Sequence, residues 1–258
     1  MLLMWWPSVV VTSAILQPRA PPLAAWSRPA LIPPPRIGAH AGQRDAHAIS
    51  LTKRWIEEVV VRLGLCPYAA KPFVAEEIRY VVSDATDDES LVNDFFVEAA
   101  LLLDLPEDEL ATSFLIAPDY DQGIEEFYGL YEWLADTLEE APEQPEASDT
   151  LEALVGDRVQ PAFFHPQWSF SGLPEQDPTH FEKRSPLPVI NLLRRASLNR
   201  VVEQGLAKGI IVNKEIAEHN EHALRREGYA ALEACFARLH EPRPLADEGE
   251  AAEDHEDR

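Results

Sequence analysis

Three short runs rich in β-branched and aromatic residues, at 78–83, 112–117 and 158–164, alternate with longer stretches whose apolar residues recur at helical spacing. No other feature constrains the chain as much. Strands joined by helical crossovers of roughly thirty residues are usually parallel, and their carboxyl ends then share one rim. The expected fold is therefore α/β, a small, mostly parallel sheet of about three strands packed with helices, followed by C-terminal helices. The domain is expected over residues 49–240.

The helical stretches carry their own punctuation. Leu51, Trp55, Ile56, Val59, Val60 and Leu63 form one apolar stripe, and Gly64 stands where a left-handed helix end is wanted. Thr86 reads as an N-cap, with Asp87, Asp88 and Glu89 in the first turn of a helix whose inner face holds Leu91, Phe95, Phe96 and Leu102. Ile124, Phe127, Tyr131, Leu134 and Leu138 mark the next helix. Pro161 cannot donate a ladder hydrogen bond, so the run at 158–164 reads as an edge strand. Helices are expected at 189–202, after Pro186 and Pro188, and at 215–239, with a possible break at Gly228.

Charge excludes some partners. The formal net charge is -23 and no Lys/Arg stripe is present, which argues against a nucleic-acid or anionic-membrane surface. Much of the acidity lies in an insertion at 139–150 and a tail at 241–258, both too polar to offset ordering entropy and so expected to be disordered. Two cysteines, Cys66 and Cys235, make no disulfide framework. Residues 1–48 have no acid before Asp45 and several arginines, the composition of a targeting segment, with the plastid expected and the mitochondrion the alternative.

Candidate chemistry gathers where proline stiffens the chain. Cys66, His165 and Ser185 each precede a proline, which disfavours helix at these positions and places polar side chains in semi-rigid loops. The strand-end rim would also collect Asp84 and Asp119, and open α/β sheets bind ligands there. The stretches Gly64-Leu65-Cys66-Pro67-Tyr68, Phe164-His165-Pro166 and Arg184-Ser185-Pro186-Leu187-Pro188 resemble those of the bacterial and plastid family known as domain of unknown function 1415. The resemblance covers roughly residues 50–229 and brings no established activity. It also marks a departure, because Lys183 stands where the family stretch has asparagine.

Three functions follow as expectations. In the first, a small-molecule enzyme uses Cys66 as nucleophile and His165 as base, with Arg184, Ser185, Asp84 and Asp119 around an anionic substrate. A cysteine behind a helix C-terminus has a raised thiol pKa, so this reading needs His165 or Arg184 beside it. In the second, the protein is a non-catalytic binding or assembly module with structural Cys66 and His165. In the third it is a metal-dependent hydrolase, although no close ligand pair supports a metal. The absence of a P-loop or Gly-x-Gly-x-x-Gly stretch removes the argument for a nucleotide cofactor.

Overall fold

A computed structural model describes residues 39–139 and 155–241. The leader up to residue 38, the acidic stretch from 140 and the tail from 242 lie outside the described residues.

A four-stranded sheet runs in the order β1 (Ile78–Val82), β2 (Thr112–Ile116), β4 (Val189–Arg194) and β3 (Val159–Phe164). β1 and β2 are parallel, and β4 is antiparallel to both β2 and β3. The sheet is thus mixed, which corrects the expectation of about three mostly parallel strands. The added strand comes from the segment read as a helix from residue 189. Val189, Ile190 and Leu192 are fully buried, and a strand covered on both faces is a continuous apolar run that periodicity cannot separate from helix. The true helix, α5 (Arg195–Leu206), follows Arg194 without an intervening loop.

Because β4 reverses direction between them, β1, β2 and β3 still point the same way. Their last residues Val82, Ile116 and Phe164 lie on one rung with Val189, so the segments that follow emerge on one rim. β3 is an edge strand, where Pro161 disturbs pairing on one side only.

Side-chain alternation divides the interior into two cores. Leu115, Phe163 and Ile190 face α3 (Asp88–Asp104) and α4 (Ile124–Glu139), where Leu91, Phe95, Leu102, Phe127 and Leu134 are buried. Phe114, Ile116 and Val189 face α1 (Ala39–Trp55) and α7 (Tyr229–Leu239), against Leu51, Trp55, Ile56 and Leu232. Full burial of each such side chain stabilises by about 1.5–3 kcal/mol. α3 starts one residue later than expected, with the Asp87 carboxylate accepting the Ser90 N–H.

α1 runs on into a π-helical turn (Ile56–Val61), which ends at Gly64 in the left-handed region with φ 67°. α1 also begins ahead of residue 49, and its Ala48 is buried, so the domain includes residues assigned by composition to the leader. α2 (Ala70–Val74) leads into β1. α6 (Val212–Glu227) and α7 are separated at Gly228, φ 80°. Arg54 ties α1 to the end of α7 by donating to the carbonyls of Arg238, Leu239 and Glu241 at 2.9, 2.8 and 2.6 Å. Carbonyls at a helix end lack the next turn's N–H groups, and of these three the Arg238 carbonyl also accepts the Glu241 N–H at 3.1 Å. Among the described residues no helix is long and apolar enough to cross a membrane.

Candidate functional site

The rim carries two separate constellations. At the ends of β1 and β2, Asp84 and Asp119 both accept hydrogen bonds from the Arg44 guanidinium of α1, which also bonds Asp45 at 2.8 Å. The three carboxylates raise the Arg44 pKa, with Asp84 the largest cause. Asp84 and Asp119 therefore dock α1 on the sheet and are poor receptors for an anion. Both carboxylates, expected around the substrate, are engaged here by an arginine.

The second constellation wraps the end of β3. His165 is 5 % exposed, and its ring packs on Phe127 of α4 with centroids 5.3 Å apart. Burial pushes the imidazole down to about 4, so the ring is neutral at pH 7. The Gln167 N–H donates to Nδ1 at 3.2 Å, which leaves the ring proton on Nε2. The turn is closed by His165 N–H donating to the Lys183 carbonyl and Trp168 N–H donating to the His165 carbonyl, each at 3.1 Å. His165 is thereby fixed as a neutral donor through Nε2, with its only lone pair already engaged.

Lys183 is 7 % exposed, and its Nζ lies 4.9 Å from the centre of the Phe164 ring and 6.0 Å from that of Trp168. Burial pushes the ammonium down to about 8, with the Glu182 carboxylate acting in the opposite sense. Glu182 is half-buried, desolvation pushes its carboxyl up, and it accepts a 2.9 Å hydrogen bond from Asn220 of α6. Trp168 Nε1 is buried and has no hydrogen-bond partner among the described residues. Arg184 donates through Nε to the Trp168 carbonyl at 2.9 Å, while its guanidinium lies 4.9 Å over Phe181 and 5.9 Å over Tyr229. Ser185 is wholly buried, and its hydroxyl donates to the Leu187 carbonyl at 2.5 Å. In this position the hydroxyl shapes the turn into β4.

Cys66 flanks the opposite core from His165. Leu63 and Leu65 beside it belong to the α1/α7 core, whereas His165 packs on the α4 side of the sheet. No hydrogen bond joins Cys66 to His165 or Arg184 among the described residues. Burial pushes the thiol up, and only the Tyr68 and Ala69 amides act to lower it. The cationic neighbour that a nucleophilic thiolate requires is not among the causes of its shift.

Among the described residues no three His, Cys, Asp or Glu side chains cluster as metal ligands. A groove of about 360 Å³ lies between the π-helical turn and α7, lined by Glu58, Arg62, Glu227, Arg238 and the buried Cys235, and none of these residues is on the rim. Lys183, Trp168 and Arg44 are the site-forming residues that pattern reading missed. Lys183 had one signal, its departure from the family stretch; the other two had none. No curated protein and no solved structure matches the chain. Residues 47–234 match the family model described as Protein of unknown function (DUF1415), and the chain belongs to that family.

Proposed function

We propose that this protein is a small-molecule enzyme whose anionic substrate is held at the carboxyl end of β3 by Lys183, Trp168, His165 and Arg184. One observation carries the reading: the turn after β3 and the segment 183–184 are joined by hydrogen bonds, His165 N–H to the Lys183 carbonyl and Arg184 Nε to the Trp168 carbonyl, and together they carry four donor-bearing side chains. They are the Lys183 ammonium, the Trp168 Nε1–H without a partner, the Nε2–H of a neutral His165 and the Arg184 guanidinium. A buried N–H with no acceptor costs about 1–3 kcal/mol, which an anion would offset. In a chain of net charge -23 such a cationic enclave also discriminates by sign.

In this reading His165 polarises a substrate oxygen through Nε2–H and does not remove a proton. Thiol attack by Cys66 with His165 as base is the weaker alternative, because burial raises the thiol and the His165 lone pair is engaged. A non-catalytic module would bind the same ions without turnover.

Thermal unfolding in rising phosphate, acetate and oxalate tests the site. Wild type and Cys66→Ala should show the same saturable rise in Tm with at least one of these anions. Lys183→Met and Trp168→Phe should each weaken it roughly tenfold or more, the loss of one charge-assisted bond. Equal stabilisation of Lys183→Met and wild type would refute the proposal.

A further inference from the structure

We propose that two copies of this chain associate through the outer edge of β1, pairing antiparallel about Tyr80 so that their sheets become continuous.

The two edges of the sheet are built differently. β4 bonds β2 through its even-numbered residues, as the Ala117 N–H to the Pro188 carbonyl at 2.9 Å shows, and so faces β3 through Asn191, opposite Ala162. Pro161 therefore points outward, and the outer side of β3 lacks a donor at its centre. β1 has no such guard. Ser83 N–H donates to the Ile116 carbonyl at 2.8 Å and Ala111 N–H to the Glu77 carbonyl at 2.9 Å, so odd-numbered residues of this strand face β2. The N–H and C=O groups of Ile78, Tyr80 and Val82 are turned the other way, and none of them hydrogen-bonds to a described residue. The charged side chain of the strand, Arg79, is drawn onto Glu98 of α3 at 2.9 Å and lies along the sheet face instead of guarding the edge. The row of α3 that carries Glu98 continues through the half-buried Leu101 to Leu105, which is 37 % exposed.

A row of outward backbone groups is recognised by the backbone of another strand, and β1 is complementary to itself. In a two-fold pairing Tyr80 meets Tyr80 of the second copy and Ile78 meets its Val82, so that each outward N–H finds a carbonyl. On the α3 face Arg79 comes opposite Val81 of the second copy, which keeps the two arginines out of register with each other. Leu101 and Leu105 extend the contact with apolar surface. Like charges meet at the margins, Glu76 opposite Asp84, and Lys53, 5.0 Å from the Tyr80 ring centre, near its own copy. Salt screens such surface charges.

Sedimentation velocity of the full chain from about 1 to about 300 µM, at low and high salt, reads the association. The expected result is a reversible rise toward twice the 28.9 kDa chain mass, tightening as salt screens the net charge of -23. A mass that stays at one chain throughout, or an association that loosens with salt, would overturn the proposal. Val81→Lys and Val81→Glu read the register, because they set a like or an opposite charge against Arg79 of the second copy, twice across the two-fold. Val81→Lys should dissociate roughly tenfold more readily than Val81→Glu, and equal affinities would overturn the pairing. Hydrogen exchange of the wild type keeps the test independent of whether these variants fold. Slower exchange of the Ile78, Tyr80 and Val82 amides at high concentration is expected; protection elsewhere with these amides unchanged would put the contact on another face and overturn the proposal.

Discussion

Acidification should unfold this protein partly through one imidazole. The unfolded chain protonates His165 near its ordinary value of 6.5, whereas the folded state holds it neutral down to about 4 because the ring is buried against Phe127. Between those values the unfolded state binds the extra proton, so stability present above pH 6.5 is lost as pH falls toward 4. A displacement of this size corresponds to about 3 kcal/mol in full, and about 2–3 kcal/mol is already lost at pH 4.5. Carboxylates titrate in the same range, so the measured quantity is a difference. Urea unfolding of wild type and His165→Gln from pH 4.5 to 7.5 gives two stability curves. At pH 7 the variant is less stable through lost packing, and the gap should narrow by about 2–3 kcal/mol at the acid end. Parallel curves, or an NMR titration of His165 with a midpoint near 6.5, would refute the buried neutral imidazole and with it the role as Nε2 donor.

Two further outcomes follow from the same geometry. Iodoacetamide should modify Cys66 slowly at pH 7 with a rate midpoint above that of a free thiol, since burial raises it; fast alkylation at neutral pH would restore the nucleophile reading. Arg54→Ala removes three hydrogen bonds to the end of α7 and should cost about 2–4 kcal/mol in urea unfolding, with increased hydrogen exchange confined to α7; a loss below about 0.5 kcal/mol would mean that water replaces the guanidinium there.

The parts of the fold that follow a single period were legible. β1, β2 and β3 announce themselves by β-branched and aromatic runs, and α3 and α4 by apolar stripes ending at caps or prolines. β4 was not legible, because its side chains are buried on both faces and the next residue begins a helix; only its pairing with β2 and β3 makes it a strand. The site divides similarly. His165 at the end of β3 follows from strand direction and the proline after it. That Cys66 flanks a different core from the one His165 packs on depends on which face of the sheet each chain segment covers, which spacing along the sequence does not encode. Arg44 was hidden by composition, since an arginine in an acid-poor leader reads as a targeting feature until Asp84 and Asp119 are brought beneath it. Lys183 was marked by its departure from the family stretch, but its burial against Phe164 and Trp168 depends on contacts that the sequence does not encode.

The central place of β4 has a consequence for synthesis on the ribosome. The ladder pairs Thr112 with Leu193 and Val159 with Arg194, so the middle of the sheet is the last strand to leave the exit tunnel. Until then β2 offers an open edge to solvent and β3 has no partner strand, a state in which unpaired backbone groups template pairing with other chains. Arrival of residues 189–194 closes both edges in one event. Nascent chains in which residues 189–194 are still inside the tunnel should therefore be protease-sensitive and bound by chaperones, and release through α7, which completes the second core, should convert them to the protected form.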